Sequence, residues 1–321
     1  MEGAAKRVVN WRNSVFFFAS PLAAAAGVFF YARAYGIGAG DVVAFTVMMA
    51  VSAVGIIPGY HRYFAHRTYE CSRGLQIFYL LAATSGFHQS ALVWASEHRD
   101  HHRFVDTARD PYNIRQGFLW AHIGWVLHGT TRQNFDNAPD LLSDPMVRAQ
   151  HRWWLPLGIA TGFGVPTLIG LAFGSAMGGL IFGGLLRLVV FQHCTFLVNS
   201  AAHTSGKQPY TAKESARDSW WLSFVTFGEG RHNYHHAFPG DYRIGHAWWD
   251  FDPAKWWIAS MGALGLARRL HRTPKAQIER ARRRTLPALS DRSVAARHAA
   301  RRDDDLPELQ VARAKSAGAL Q

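Results

Sequence analysis

Cysteine is almost missing from this 321-residue chain: Cys71 and Cys194 stand far apart and form no CxxC pair. That excludes a disulfide framework and a thiolate metal site. No glycine-rich loop of the GxGxxG or GxxxxGK type follows a strand pattern, so no nucleotide-binding domain is encoded. No repeat of fixed period is visible. Acidic residues are too few to balance the basic ones, and the net charge is +13. Those basic residues flank apolar segments instead of forming a patch on a soluble fold, so nucleic acid is not an expected partner.

What is present is apolar. Hydrophobic residues make up 49% of the chain, with 12 Trp and 21 Phe, rings that suit a bilayer interface. Four long apolar segments cover residues 14–36, 40–59, 155–174 and 176–199, each about long enough to cross a hydrocarbon core at about 1.5 Å rise per residue. They pair as two helical hairpins with short tips. The tips carry no basic cluster, whereas the N-terminus (Lys6, Arg7, Arg12), residues 61–154 and everything after residue 200 are basic. These three regions are therefore expected on the cytoplasmic face. The first apolar run is too long for a cleavable signal and reads as a retained anchor. Arg187, central in the fourth segment, is costly in lipid and is expected to face the bundle interior or a polar cavity, with snorkelling as the alternative.

Two other apolar stretches, 74–94 and 117–128, read as interfacial or cytosolic helices packed on the membrane domain, with a fifth span as the alternative reading of the first. The fold class expected is an all-α integral membrane protein, with four transmembrane helices in two hairpins and a cytosolic helical cap. Residues 1–267 form its membrane domain. Residues 268–321 form a basic cytosolic tail, helical or disordered, that faces anionic lipid, an acidic partner or solvent alone.

The polar face carries the chemistry. "HRYFAH" at 61–66, "EHRDHHRF" at 97–104, "NSAAH" at 199–203 and "EGRHNYHHAF" at 229–238 hold His61, His66, His98, His101, His102, His203, His232, His235 and His236. The second and fourth stretches contain HxxHH, whose i, i+3, i+4 spacing puts three imidazoles on one helical face within reach of a common point. His61 and His66, five apart and about 140° round a regular helix, are expected to serve two separate ions. One HxxHH fits a solvated helix face equally well; two copies with two further motifs on one membrane face do not. Two ions of four or five ligands each would use all nine rings. Asn199, one turn before His203, could hold a water at an open coordination position.

Imidazole suits zinc, copper, iron and nickel, but structural zinc sites usually use thiolate, so an imidazole-rich binuclear centre with an open position favours redox iron. Glu97, Asp100, Asp106, Asp110, Asp218 and Glu229 are candidates to accept the outer ring N–H groups. The other histidines, among them His88, His122, His128, His151, His193 and His246, read as structural, His193 being the one closest to a functional place.

These motifs, with "HRYFAHRTYE", "WASEHRDHHRFVDTARDPYNIRQGF", "HIGW" and "GEGRHNYHHAFPGDYR" in order over roughly residues 40–265, resemble the membrane-bound fatty acid desaturases of the delta-nine, stearoyl-CoA desaturase type. The resemblance implies two iron ions, Fe2+ or Fe3+, on the matched histidines and a water on Asn199. It further implies O2 as co-substrate and a cis double bond introduced into a saturated acyl-CoA chain held in a narrow apolar tunnel. By family position, Trp94 and Phe196 would be tunnel walls, and ordinary core packing explains either as well.

Animal acyl-CoA members carry an arginine just before the second box and basic residues after the "GW" helix, where Ser96 and "HGTT" stand here. Arg132 or Lys207 are candidates to supply that charge, and a lipid-bound or carrier-bound acyl chain is the second substrate reading. A membrane alkane or fatty acyl hydroxylase uses the same oxidant and is the neighbouring activity. A haem carrier or metal transporter would place its histidines deep within the spans. With no cytochrome-like haem domain, ferredoxin-like cysteine set or flavin motif, electrons are expected from a separate ferredoxin-, rubredoxin- or cytochrome-type donor on the cytoplasmic face.

Overall fold

A computed structural model describes residues 8–129 and 134–285. Four helices are long and apolar enough to cross a membrane: α1 (Trp11–Tyr35), α2 (Ala39–Ala65), α7 (Pro145–Ala172) and α8 (Ala176–His203). Between and after them come α3 (Arg73–Thr84), α4 (Ala91–Phe104), α5 (118–128), α6 (Pro139–Ser143), α9 (Trp220–Val225), α10 (His232–Ala237), α11 (Pro253–Ala263) and α12 (275–285). A two-residue antiparallel ladder joins β1 (Glu70–Cys71) to β2 (Ala267–Arg268). The protein is an all-α membrane protein with a helical cap.

The spanning helices exceed the apolar windows on the polar side. Hydrophobicity ends near residue 59, yet α2 runs to Ala65; α7 begins at Pro145, and α8 runs to His203. Sequence hydropathy reads only the stretch that lipid demands, whereas backbone hydrogen bonding and packing carry each helix on into the cap. The segment 74–94 is two helices, α3 and α4, broken at 85–90. Ser72 and Ser90 cap them by accepting from the amides of Leu75 and Val93.

From Gly55 to Ala65, α2 widens into a π-helix around Pro58, which has no amide to give. Two glycines let α3 cross this stretch at close range. A Cβ on Gly55 would stand 2.2 Å from the Ala83 nitrogen, and one on Gly59 2.8 Å from the Tyr79 Cβ. This small-residue crossing is the form that tight helix pairs take in membranes.

Arg187 faces the bundle interior and is fully buried. Its guanidinium donates to the carbonyls of Gly183, Ser85 and Gly162 and to Ser52 Oγ, which ties α8 to α2, α7 and the 85–90 bend. No carboxylate pairs with it among the described residues; oriented carbonyl dipoles satisfy its donors instead.

The first part of the expected tail is packed. Arg268 pairs with Glu70 across the ladder, the His271 amide donates to the Thr68 carbonyl, and Ile278 on α12 is buried against Tyr234 and Phe238. The rest of the tail, 286–321, lies outside the described residues.

Candidate metal centre

The structure brings the nine histidines into two groups. His61, His66, His98, His102 and His235 form one; His101, His203, His232 and His236 form the other. Within each group the ligating nitrogens lie within 4.8 Å of one another. In the first group Nε2 atoms stand 2.9 Å apart between His61 and His235, His66 and His98, and His102 and His235. In the second they stand 3.1 Å apart between His203 and His232 and between His232 and His236. The rings of His102 and His236 stack at 4.3 Å, one from each group.

Two details of the sequence reading are corrected. His61 and His66 do not serve separate groups but share one. The cause is the π turn of α2: the His66 amide donates to the His61 carbonyl at 3.1 Å, an i→i+5 bond that swings the fifth residue round to the face a regular helix would deny it. Nor does either HxxHH aim its three rings at one point. At about 100° per residue, the i and i+4 rings are about 40° apart, while the i+3 ring is about 100° from the i+4 ring. On α4, His98 and His102 go to the first group and His101 to the second. On α10, His232 and His236 go to the second group and His235 to the first. Each helix thus lends a pair to one group and a single ring to the other.

The outer ring nitrogens show which atoms face inward. His61 Nδ1 lies 3.1 Å from Glu229 Oε2, and His101 Nδ1 donates to Asp110 Oδ1 at 2.9 Å. Ser215 donates its hydroxyl proton to Asp106 at 2.6 Å, so the 2.7 Å contact between His203 Nδ1 and Ser215 Oγ has the ring as donor. In the His101 and His203 rings the Nε2 is therefore a bare lone pair. Bare lone pairs converging at about 3 Å repel unless a cation lies among them, and the His101 Nε2 is buried with no hydrogen-bond partner. The donor set therefore fits metal ions.

His236 Nδ1 lies 2.7 Å from Glu214 Oε2, and burial pushes that carboxyl up to about 7. Burial also holds His66, His98, His102, His232, His235 and His236 well below the ordinary imidazole range, which keeps them neutral and free to ligate.

Arg62 holds the frame of this site. Wholly buried, it forms a two-point contact with Asp252 at 2.8 and 3.0 Å, donates to Glu229 at 3.0 Å and to the Tyr242 carbonyl at 2.8 Å. Glu229 therefore couples Arg62 to His61. Of the acidic candidates, Asp110 bonds a ring nitrogen directly, Glu229 faces one at 3.1 Å, Asp106 acts through Ser215, and Asp218 instead accepts the Tyr234 amide. Asp100 accepts from Asn137.

Sequence reasoning missed Glu214, Ser215 and Tyr112, whose hydroxyl lies 3.3 Å from His98 Nδ1. Glu214 and Ser215 sit in a loop without periodicity, and only its position between the third and fourth motifs pointed to it.

Asn199 is half-buried on α8, and its side chain makes no hydrogen bond to the described residues. Trp94 stacks on His98 at 4.8 Å and meets His61 edge-on at 5.9 Å. Phe196 is buried one turn before Ser200, among His88, His122, Trp125 and Phe17. His193 lies outside both groups and bonds His122 at 3.0 Å. Ser96 is fully buried and donates to Asn137. Lys207 is exposed, and Arg132 lies outside the described residues.

The sequence profile of the fatty acid desaturases matches residues 39–273. The chain is 39% identical over 277 residues to a probable acyl-CoA desaturase of Schizosaccharomyces pombe, covering 85% of this chain and 57% of that one. It is 42% identical over 235 residues to acyl-CoA desaturase 1 of Saccharomyces cerevisiae, covering 72% and 46%. Stearoyl-CoA desaturase 5 of Homo sapiens is 36% identical over 242 residues, 73% of each chain. The chain thus spans about half the length of the two fungal relatives.

Proposed function

The chain belongs to the fatty acid desaturase family, and from that membership we propose that it is an oxygen-dependent acyl desaturase whose nine histidines hold two iron ions. The observation that carries the reading is the convergence of their ring nitrogens in groups of five and four, with the outer nitrogens of His61 and His101 set against the buried carboxylates Glu229 and Asp110. The irons, when bound, supply the oxidising power to remove two hydrogens from adjacent methylenes, giving a cis double bond while O2, two electrons and two protons become two waters.

The protein's own residues do the rest. Asp110 and Ser215 fix the tautomers of His101 and His203, so that each presents a lone pair inward, and Glu229 stands against the outer nitrogen of His61. Asn199, beside the group with four histidines, is assigned the role of holding a water there. Trp94 and Phe196 are assigned to the walls of the acyl channel, which places the scissile methylenes and excludes water. An acyl-CoA is the first substrate reading, and a lipid-bound or carrier-bound chain the second. The second gains from Ser96, which is sealed in the interior where animal relatives carry an arginine.

The cap, both termini and the histidines are assigned to the cytoplasmic side by the basic loops. There a separate ferredoxin-, rubredoxin- or cytochrome-type donor delivers the electrons. Residues 1–267 would then be the membrane domain, with α12 docked on it. Expression in a host lacking its own desaturase, followed by gas chromatography of the acyl chains, tests the activity. A new monounsaturated chain is expected from the native protein and none from His235→Ala; a hydroxylated chain without a new double bond would assign the hydroxylase activity instead.

A further inference from the structure

Two helices of the cap, α9 and α11, and the loop before α11 present aromatic rings outward. On α9, Trp220, Trp221 and Phe224 are 69%, 43% and 56% exposed. A continuous strip runs from Trp220 to Phe224 at 6.3 Å, to Phe251 stacked at 4.7 Å and on to Trp256 at 5.8 Å. An apolar strip of this extent is not left to water on a monomeric soluble surface.

Packing on α8 sets its depth. At about 1.5 Å per residue, α8 is about 42 Å long, against about 30 Å of hydrocarbon, so its last third stands beyond the lipid tails on the histidine side. Leu222 on α9 is buried against Leu197, Ala201 and Ala202, and Phe227, just after α9, meets Phe191 at 5.7 Å. Phe191 and Leu197 lie about 22 and about 31 Å from the start of α8. The contacts therefore hold α9 across the boundary between tails and headgroups.

We propose that α9 and the segment from residue 246 to Trp256 form an interfacial anchor, seated in the headgroup layer of the bilayer beside α8. Indole and phenyl rings favour this layer, where one edge meets carbonyls and water and the other meets acyl chains.

A second feature supports the assignment. The loop carrying Trp248 and Trp249, 81% and 69% exposed, is pinned from beneath. The buried Lys255 ammonium donates to the carbonyls of Gly245, Ala247 and Asp250 at 2.8, 2.8 and 3.0 Å, and Arg231 binds Asp250 at 2.7 Å. A lysine is drawn out of water to hold a loop whose tip is two exposed indoles; the rigid presentation of those rings is what the loop provides. Because α9 leads directly into Glu229 and His232, the anchor also fixes the depth of the histidine groups beneath the headgroups.

The test uses the full chain with Cys71→Ser and Cys194→Ser, reconstituted in single-copy phosphatidylcholine nanodiscs. A bimane label is attached at Phe224→Cys, at Trp249→Cys or, as reference, at Ala108→Cys, which is exposed beyond the outer end of α4. Lipids with a nitroxide just below the headgroup are expected to quench the first two labels severalfold more than the third, and aqueous iodide to quench the third most. Iodide quenching of all three alike would overturn the proposal, because the strip would then face water. Protection of Phe224→Cys from both quenchers would overturn it too, by showing that protein and not lipid covers that face. The readout is independent of activity, so its failure leaves the desaturase assignment where it stands.

Discussion

Glu229 serves two partners at once, standing 3.1 Å from His61 Nδ1 and accepting from the guanidinium of Arg62. Burial works to raise its carboxyl, but His61 and Arg62 outweigh that effect and hold it below the usual range. Glu229→Gln keeps the size and removes the charge. Partners of this kind tune ligands by about 10- to 100-fold, so the variant is expected to keep its helices and lose iron affinity by about that factor, measured as iron per chain after equilibration with a chelator. Unchanged iron content would show that Glu229 serves only the fold. At this scale the sequence was legible for ligands and poor for their supports. Histidines announce themselves by spacing on a helix, whereas Glu214, Ser215 and Tyr112 reach their rings from loops, where no period constrains which residue points inward. Asp110 and Glu229 were legible because each lies next to a histidine motif, Glu229 opening the fourth and Asp110 following the second.

At the scale of elements, the informative misreading is His61 and His66. A regular helix separates them, and only the π geometry of Gly55–Ala65 brings them together. Sequence does mark the place, through Pro58 between Gly55 and Gly59, but period analysis assumes the turn it sets out to detect. The close α2–α3 crossing rests on the same stretch. Gly55→Ala would push a methyl into the Ala83 backbone, which cannot yield as a flexible side chain would. Overpacking typically costs about 1–3 kcal/mol. The variant is therefore expected to show a lower melting temperature in detergent and, because α2 carries two ligands, a smaller iron content. Gly74→Ala, with nothing within 4 Å of the added carbon, is the matched control.

For the whole molecule, the four spans were legible from hydropathy, and so was the inward direction of Arg187, because a central cation in lipid has few alternatives. What it would bind was not legible, since carbonyl partners leave no mark in a side-chain sequence. Three of its bonds cross between segments, to Ser52, Ser85 and Gly162. At about 0.6 kcal/mol for an interhelical hydrogen bond in a membrane protein, Arg187→Met is expected to cost about 2 kcal/mol, seen as a lower denaturation midpoint with both histidine groups still able to load iron. Full stability in the Met variant would mean that these contacts only fill space.

The pairing of Arg62 with Asp252 also orders events during synthesis. These partners are 190 residues apart, and His61 and His235 are 174 apart. While the ribosome is still short of residue 252, the guanidinium at the end of α2 lacks its main counter-charge, and until residue 236 emerges neither cage has its full complement of nitrogens. Under the proposed function, metal loading is therefore expected to be a late step, because both histidine groups and the Arg62 frame are complete only when the last quarter of the chain arrives.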